Sequence, residues 1–123
     1  MSESNPVSMP TLKIGKLTAS VPIVQGGMGV GISLSSLASA VAREGGIGII
    51  AAAGIGMLEE DGTTNYEEAC TRRLKSEIRK AKALAGARGI IGVNIMVAQS
   101  NYKDLVMAAV EAKADLIVSG AGL

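Results

Sequence analysis

Residues 22–52 read PIVQGGMGVGISLSSLASAVAREGGIGIIAA, a stretch long enough for one complete strand–helix–strand unit. Ile23-Val24-Gln25 is a short apolar strand, and it runs into Gly26-Gly27-Met28-Gly29-Val30-Gly31. Ser33 or Ser35 is placed to cap the helix that follows, expected over Leu34 to Arg43. Leu34, Leu37, Ala38 and Val41 recur at helical spacing and define its apolar face. Gly45-Gly46 ends that helix, glycine being the residue that follows a helix at least steric cost. Ile47 to Ala52 is then a second strand with no polar residue, the mark of a parallel strand covered on both faces.

The same alternation continues outward. On the N-terminal side, Leu12-Lys13-Ile14 and Leu17-Thr18-Ala19 flank Gly15-Lys16 and predict a small hairpin. Residues 1–11 are polar and proline-punctuated, a flexible N-terminus. On the C-terminal side a loop carries Gly54, Gly56 and Met57, then an acidic tip, Glu59-Glu60-Asp61, read as a solvated turn. Thr64 and Glu67 stand at capping-box spacing and open a helix running to about Ala85. Cys70, Leu74, Ile78 and Ala81 form its inner side; Glu67, Glu68, Arg72, Arg73, Lys75, Arg79, Lys80 and Lys82 form a solvated outer one. Ile90 to Met96 is the third strand. Asn101 to Lys113 is the third helix, with Leu105, Val106, Ala109 and Val110 inward. Asp115 to Ser119 is the fourth strand, ending in Gly120-Ala121-Gly122. The order βαβαβαβ predicts an α/β fold with a parallel sheet and right-handed crossovers. Two architectures satisfy it, a doubly wound sheet and a (β/α)8 barrel, and periodicity does not choose between them.

Composition narrows the chemistry. There is no Phe and no Trp among the 123 residues, and 16 are glycine, so small aliphatic side chains must fill the core. A net charge of +1 offers nothing to nucleic acid or to an anionic membrane. The single cysteine, Cys70, excludes an internal disulfide and takes a structural role on an apolar helix face. No N-terminal signal pattern and no membrane-spanning stretch stand out, so a cytoplasmic location is expected. With no histidine anywhere, a histidine triad or imidazole base is excluded, and no metal site is expected.

Three groups of residues are candidates for binding. The glycines at 26–31 let a planar or anionic ligand approach main-chain N–H groups, although they also serve as a plain tight turn. They do not fit a dinucleotide fingerprint: Gly27 and Gly29 match its first two positions, but the third falls on Ile32. Asn94, near the end of the third strand, brings an amide that both donates and accepts. Its bland alternative is a strand-end amide bonded to neighbouring backbone. Ser119-Gly120-Ala121-Gly122 leaves room for a flat ligand at the end of strand four. Met28 and Met57 sit in loops at strand ends, where packing explains them less well.

With those residues in view, the sequence resembles the nitronate monooxygenase (2-nitropropane dioxygenase-like) family, to which flavin-dependent enoyl reductases are close. The resemblance is carried by Pro22 to Gly29, by Glu44-Gly45-Gly46-Ile47-Gly48, by Gly92-Val93-Asn94-Ile95-Met96 and by Ser119 to Gly122. It implies FMN as cofactor and a (β/α)8 TIM barrel, of which residues 12–123 are the N-terminal half, about four βα units, truncated after strand four. It implies that Gly26, Gly27, Met28, Asn94, Gly120 and Gly122 bind the cofactor, with Gln25 and Met57 as weaker carry-overs. Catalytic residues are expected beyond residue 123, so the fragment alone is expected to be inactive and not to retain FMN. The activity implied is oxidation of alkyl nitronates by O2. An FMN- and NAD(P)H-dependent enoyl-thioester reductase is the alternative, and a non-catalytic half-barrel that self-associates as a homo-oligomer is a third reading.

Overall fold

In the computed structural model, residues 8–122 are described, and residues 8–11 lead as coil into a hairpin. Most of the flexible segment expected over 1–11, together with Leu123, lies outside the described residues. The hairpin pairs β1 (Leu12–Ile14) with β2 (Leu17–Ala19), Leu12 opposite Ala19, across the Gly15-Lys16 turn. Then come α1 (Ser35–Arg43), β3 (Ile47–Ala51), a 3-10 turn (Ile55–Leu58), α2 (Tyr66–Ala85), β4 (Ile90–Met96), α3 (Tyr102–Glu111) and β5 (Leu116–Gly120). β3, β4 and β5 are parallel neighbours in chain order, with Ala51 beside Asn94 and Asn94 beside Val118.

The strand expected at Ile23-Val24-Gln25 contracts to one parallel bridge, Val24 to Ile47. Ile47 N–H donates to Ile23 O at 2.9 Å and Gln25 N–H donates to Ile47 O at 3.0 Å. It nevertheless extends the parallel order to four segments, each beside its successor, with no reversal of strand order among the described residues.

The period of two along each strand divides the core. Ile50 and Ala52, then Ile91, Val93 and Ile95, pack against Ala38 and Ala42 of α1, Leu74, Ile78 and Ala81 of α2, and Leu105, Ala108 and Ala109 of α3. All three helices therefore cover one face. Burying each of the larger side chains here contributes about 2 kcal/mol. Gly48 lets α1 lie against the sheet, since a Cβ there would stand 1.9 Å from Ala38 O. The opposite face is covered at its N-terminal end by the hairpin, where Ala19, Ile47, Ile49 and Ile90 meet Leu12, Leu17 and Leu116. Toward the C-terminal end that face is uncovered: Val24, Met96 and Val118 are 47%, 37% and 41% exposed.

Local expectations fail where tertiary partners intervene. Leu37 and Val110, read as inward, are on the surface, and Ser35 and Ser39 are buried in their place on α1. Neither Ser33 nor Ser35 caps α1, whose N-cap is Leu34 without a side-chain bond. Thr64 and Glu67 make no capping box: α2 starts after Asn65, and the Thr64 hydroxyl donates to Asp61 O instead. The acidic tip is not a free turn, because Arg72 holds Glu59 and Asp61 and Arg73 holds Glu59. Among the described residues no helix is long and apolar enough to cross a membrane.

Candidate functional site

The loop after the first parallel segment is built around a side chain that imitates a strand. Gln25 Nε2 donates to Ile49 O at 3.0 Å, and Ile49 N–H donates to Gln25 Oε1 at 3.1 Å. The primary amide thus completes the next rung of the β3 edge, and the main chain at Gly26 is free to leave the sheet. Backbone pairing on that edge resumes when Ala51 N–H donates to Ser33 O at 2.9 Å.

Ser33, wholly buried, gathers the loop. Its Oγ accepts from Met28 N–H at 2.9 Å and from Gln25 Nε2 at 3.1 Å, and donates to Gly26 O at 3.4 Å. Its own N–H donates to Met28 O at 2.9 Å. The main-chain groups of Met28 are therefore already engaged, and what it offers a ligand is a half-exposed thioether. Among the described residues the N–H groups of Gly26 and Gly27 have no such partner.

Asn94 projects from β4 onto the face opposite the helices. Its Nδ2 lies 3.5 Å from Gly27 O, a long and weak bond, and its side chain is pressed against that glycine. A Cβ on Gly27 would come within 2.8 Å of Asn94 Cβ. Gly26 and Gly120 differ: a Cβ at either would meet nothing within 4 Å. Gly120 lies beside Met96, one pair beyond Asn94 and its neighbour Val118 on the same face. The structure so joins Gly26, Gly27, Asn94 and Gly120 along one open, mostly apolar strip at the C-terminal ends of the strands. Gly122 is crowded rather than open, since a Cβ there would come within 2.8 Å of Val97 Cβ. Met57 is exposed within the 3-10 turn.

Among the described residues no titratable side chain belongs to this strip, so it offers contacts and hydrogen bonds rather than proton transfer. A flat heterocycle suits it: open space over two glycines, two main-chain donors, one amide for a polar ring edge, and Val118 and Met96 for an apolar edge. A cleft of about 500 Å³ lies at the opposite end of the sheet among Thr18, Ser20, Arg43, Gly45, Arg88 and Gly89. Volume alone does not make it the site, since ligands of parallel α/β proteins bind beyond the carboxyl ends of the strands. The residues that sequence reasoning undervalued are Gln25, Ser33 and Glu77. Glu77 was legible, because it follows Cys70 by seven residues and Leu74 by three and so falls on the buried face of α2.

Comparison with known proteins identifies the family. The family model described as nitronate monooxygenase matches residues 10–119. No curated protein sequence matches the chain. Among solved structures, FabK from Thermotoga maritima matches with a TM-score of 0.60 and 29% identity over 82% of this chain. The chain spans 27% of the length of that structure. With four sequence motifs in order, parallel strands in chain order and a family match over nearly all of its length, the chain belongs to the nitronate monooxygenase family of flavin-dependent oxidoreductases.

Proposed function

We propose that this chain supplies the flavin-facing first half of an FMN-dependent (β/α)8 barrel that oxidises alkyl nitronates with O2. The observation that carries the reading is the strip formed by Gly26, Gly27, Asn94 and Gly120, at the strand ends where a barrel enzyme keeps its active site. Four parallel segments in consecutive order, with every helix on one face, support half of a closed barrel.

The residues present fit FMN on chemical grounds. Gly26 and Gly120 leave open space, and the N–H groups of Gly26 and Gly27 have no partner among the described residues, in a loop held by Ser33. Bound there, FMN would take electrons from the substrate and pass them to O2. Gly26 and Gly27 would offer donors to a ring edge that gains negative charge on reduction. Asn94 would orient the ring through its amide, and Val118 and Met96 would keep water from its face. A nitronate is already deprotonated, so it asks no base of the residues described, whereas a neutral nitroalkane would need one from elsewhere in the protein.

A second reading, an FMN- and NAD(P)H-dependent enoyl-thioester reductase, is supported by the likeness to FabK and draws on the same residues. The two separate in one experiment on the purified full-length flavoprotein, reduced anaerobically by propyl nitronate or by NADPH. Rapid bleaching by nitronate and none by NADPH is the expected result. Bleaching by NADPH alone would replace the first reading with the second.

A further inference from the structure

α2 is solvent-facing over most of its charged residues, yet Glu77 on it is only 3% exposed. Burying a carboxylate costs several kcal/mol unless it is well partnered, and Leu74, Ile78 and Ala81 around it show that an apolar residue would pack there. Its partners explain its presence. Glu77 Oε1 accepts from Ser35 N–H at 3.4 Å and from Ser35 Oγ at 3.2 Å. Ser35 is the first residue of α1, a helix with no side-chain cap of its own and no acidic residue in its first turn. A carboxylate from α2 therefore supplies the cap and the negative charge that a helix N-terminus favours.

Two residues before Ser35 stands Ser33, whose Oγ and main chain hold Gly26, Met28 and Ala51. The second carboxylate oxygen of Glu77 is 3.9 Å from Arg73 Nε and 4.0 Å from Lys80 Nζ. Arg73 in turn donates to Leu58 O at 3.5 Å and pairs with Glu59 at 3.5 Å. Leu58 packs on the other loop, with its Cδ2 3.1 Å from where a Cβ on Gly31 would stand. Glu77 is thus joined from behind to both loops that follow the first two parallel segments.

We propose that Glu77 is a positioning residue, which through Ser35 fixes the loop 26–33 in the geometry that receives the flavin. The proposal rests on the flavin reading for its last step, but not for its effect on the loop. The test compares the full-length protein with Glu77→Gln and Ser35→Ala by hydrogen exchange and by FMN titration. In Glu77→Gln, exchange over residues 26–36 should accelerate by about tenfold or more, while the β4 amides of 90–96 stay within about twofold. The dissociation constant for FMN should rise about tenfold. Ser35→Ala should move both quantities in the same direction by less, and the double variant should be no worse than Glu77→Gln alone. If Glu77→Gln fails to fold, Ser35→Ala carries the same test.

Equal acceleration in β4 and in the loop would reduce Glu77 to a general stabilising contact and overturn the proposal. So would an unchanged loop, or a loosened loop with unaltered FMN affinity. A wild-type protein that takes up no FMN would instead overturn the proposed function, and the exchange comparison would still decide whether Glu77 holds the loop.

Discussion

The glycine-rich ends of the first and the last parallel segments look alike in sequence and are built in opposite ways. The loop 26–33 is cross-braced: Gln25 fills a rung of β3, Ser33 ties three residues together, and Glu77 anchors the helix behind. Its glycines are mostly there because neighbours leave no space, as at Gly27 against Asn94 and at Gly29, where a Cβ would stand 3.0 Å from Ala53 O. The end of β5 has little of this. A Cβ on Gly120 would meet nothing within 4 Å, and Ala121 sits at φ +55, a left-handed conformation that costs a non-glycine residue about 1 kcal/mol. Its tethers are mostly main-chain bonds, Val97 N–H to Gly120 O at 2.7 Å and Ala98 N–H to Ala121 O at 3.2 Å, with one side-chain bond between the Tyr102 and Ser119 hydroxyls at 2.8 Å. One end is a preformed wall, and the other, among the described residues, is an open rim.

Substitutions test that contrast, and the largest effect is expected at Gln25. Gln25→Ala removes both partners of Ile49 on the β3 edge and should cost about 2–3 kcal/mol in chemical denaturation. A loss under about 0.5 kcal/mol would mean that water replaces the amide freely and that the wall is not braced as described. Gly27→Ala should cost about 1–3 kcal/mol by overpacking against Asn94. Gly120→Ala, the same change on the rim, should stay within about 0.5 kcal/mol, and similar losses at both sites would erase the distinction. Asn94→Ala gives up only a long bond to Gly27, so stability should fall by less than about 1 kcal/mol while FMN affinity falls about tenfold. The smallest change is Ala121→Gly, which relieves the left-handed residue and should raise stability by about 0.5 kcal/mol, read as a small increase in Tm.

The two ends also mark what a sequence discloses. β4 was legible to the residue, Ile90 to Met96, because a long apolar run between turn signals has one simple explanation. The hairpin was equally plain, since Gly15-Lys16 stands between two alternating runs. The first parallel segment was found but overextended, because no periodicity reveals that Gln25 will substitute its side chain for backbone. The face of α1 was misread at Leu37 for a related reason: Ser35 is buried through a partner far away in sequence, Glu77, 42 residues on, while Ser39 is buried with only a local bond to Ser36 O. Glycines in the candidate strip were legible as a class, yet sequence did not separate those that are crowded from those that face open space. That difference depends on which neighbour the fold brings to each Cα.

The most direct test of the account is FMN titration of the full-length protein and of its Gly120→Val variant, with Tm measured on both. Valine suits a strand end and meets no neighbouring atom at its Cβ, so it should fill the ligand's space without disturbing the fold. The account predicts at least about a tenfold loss of FMN affinity with Tm unchanged. Undiminished FMN binding by Gly120→Val would contradict it, because the open strip at the strand ends would then not be where the flavin lies.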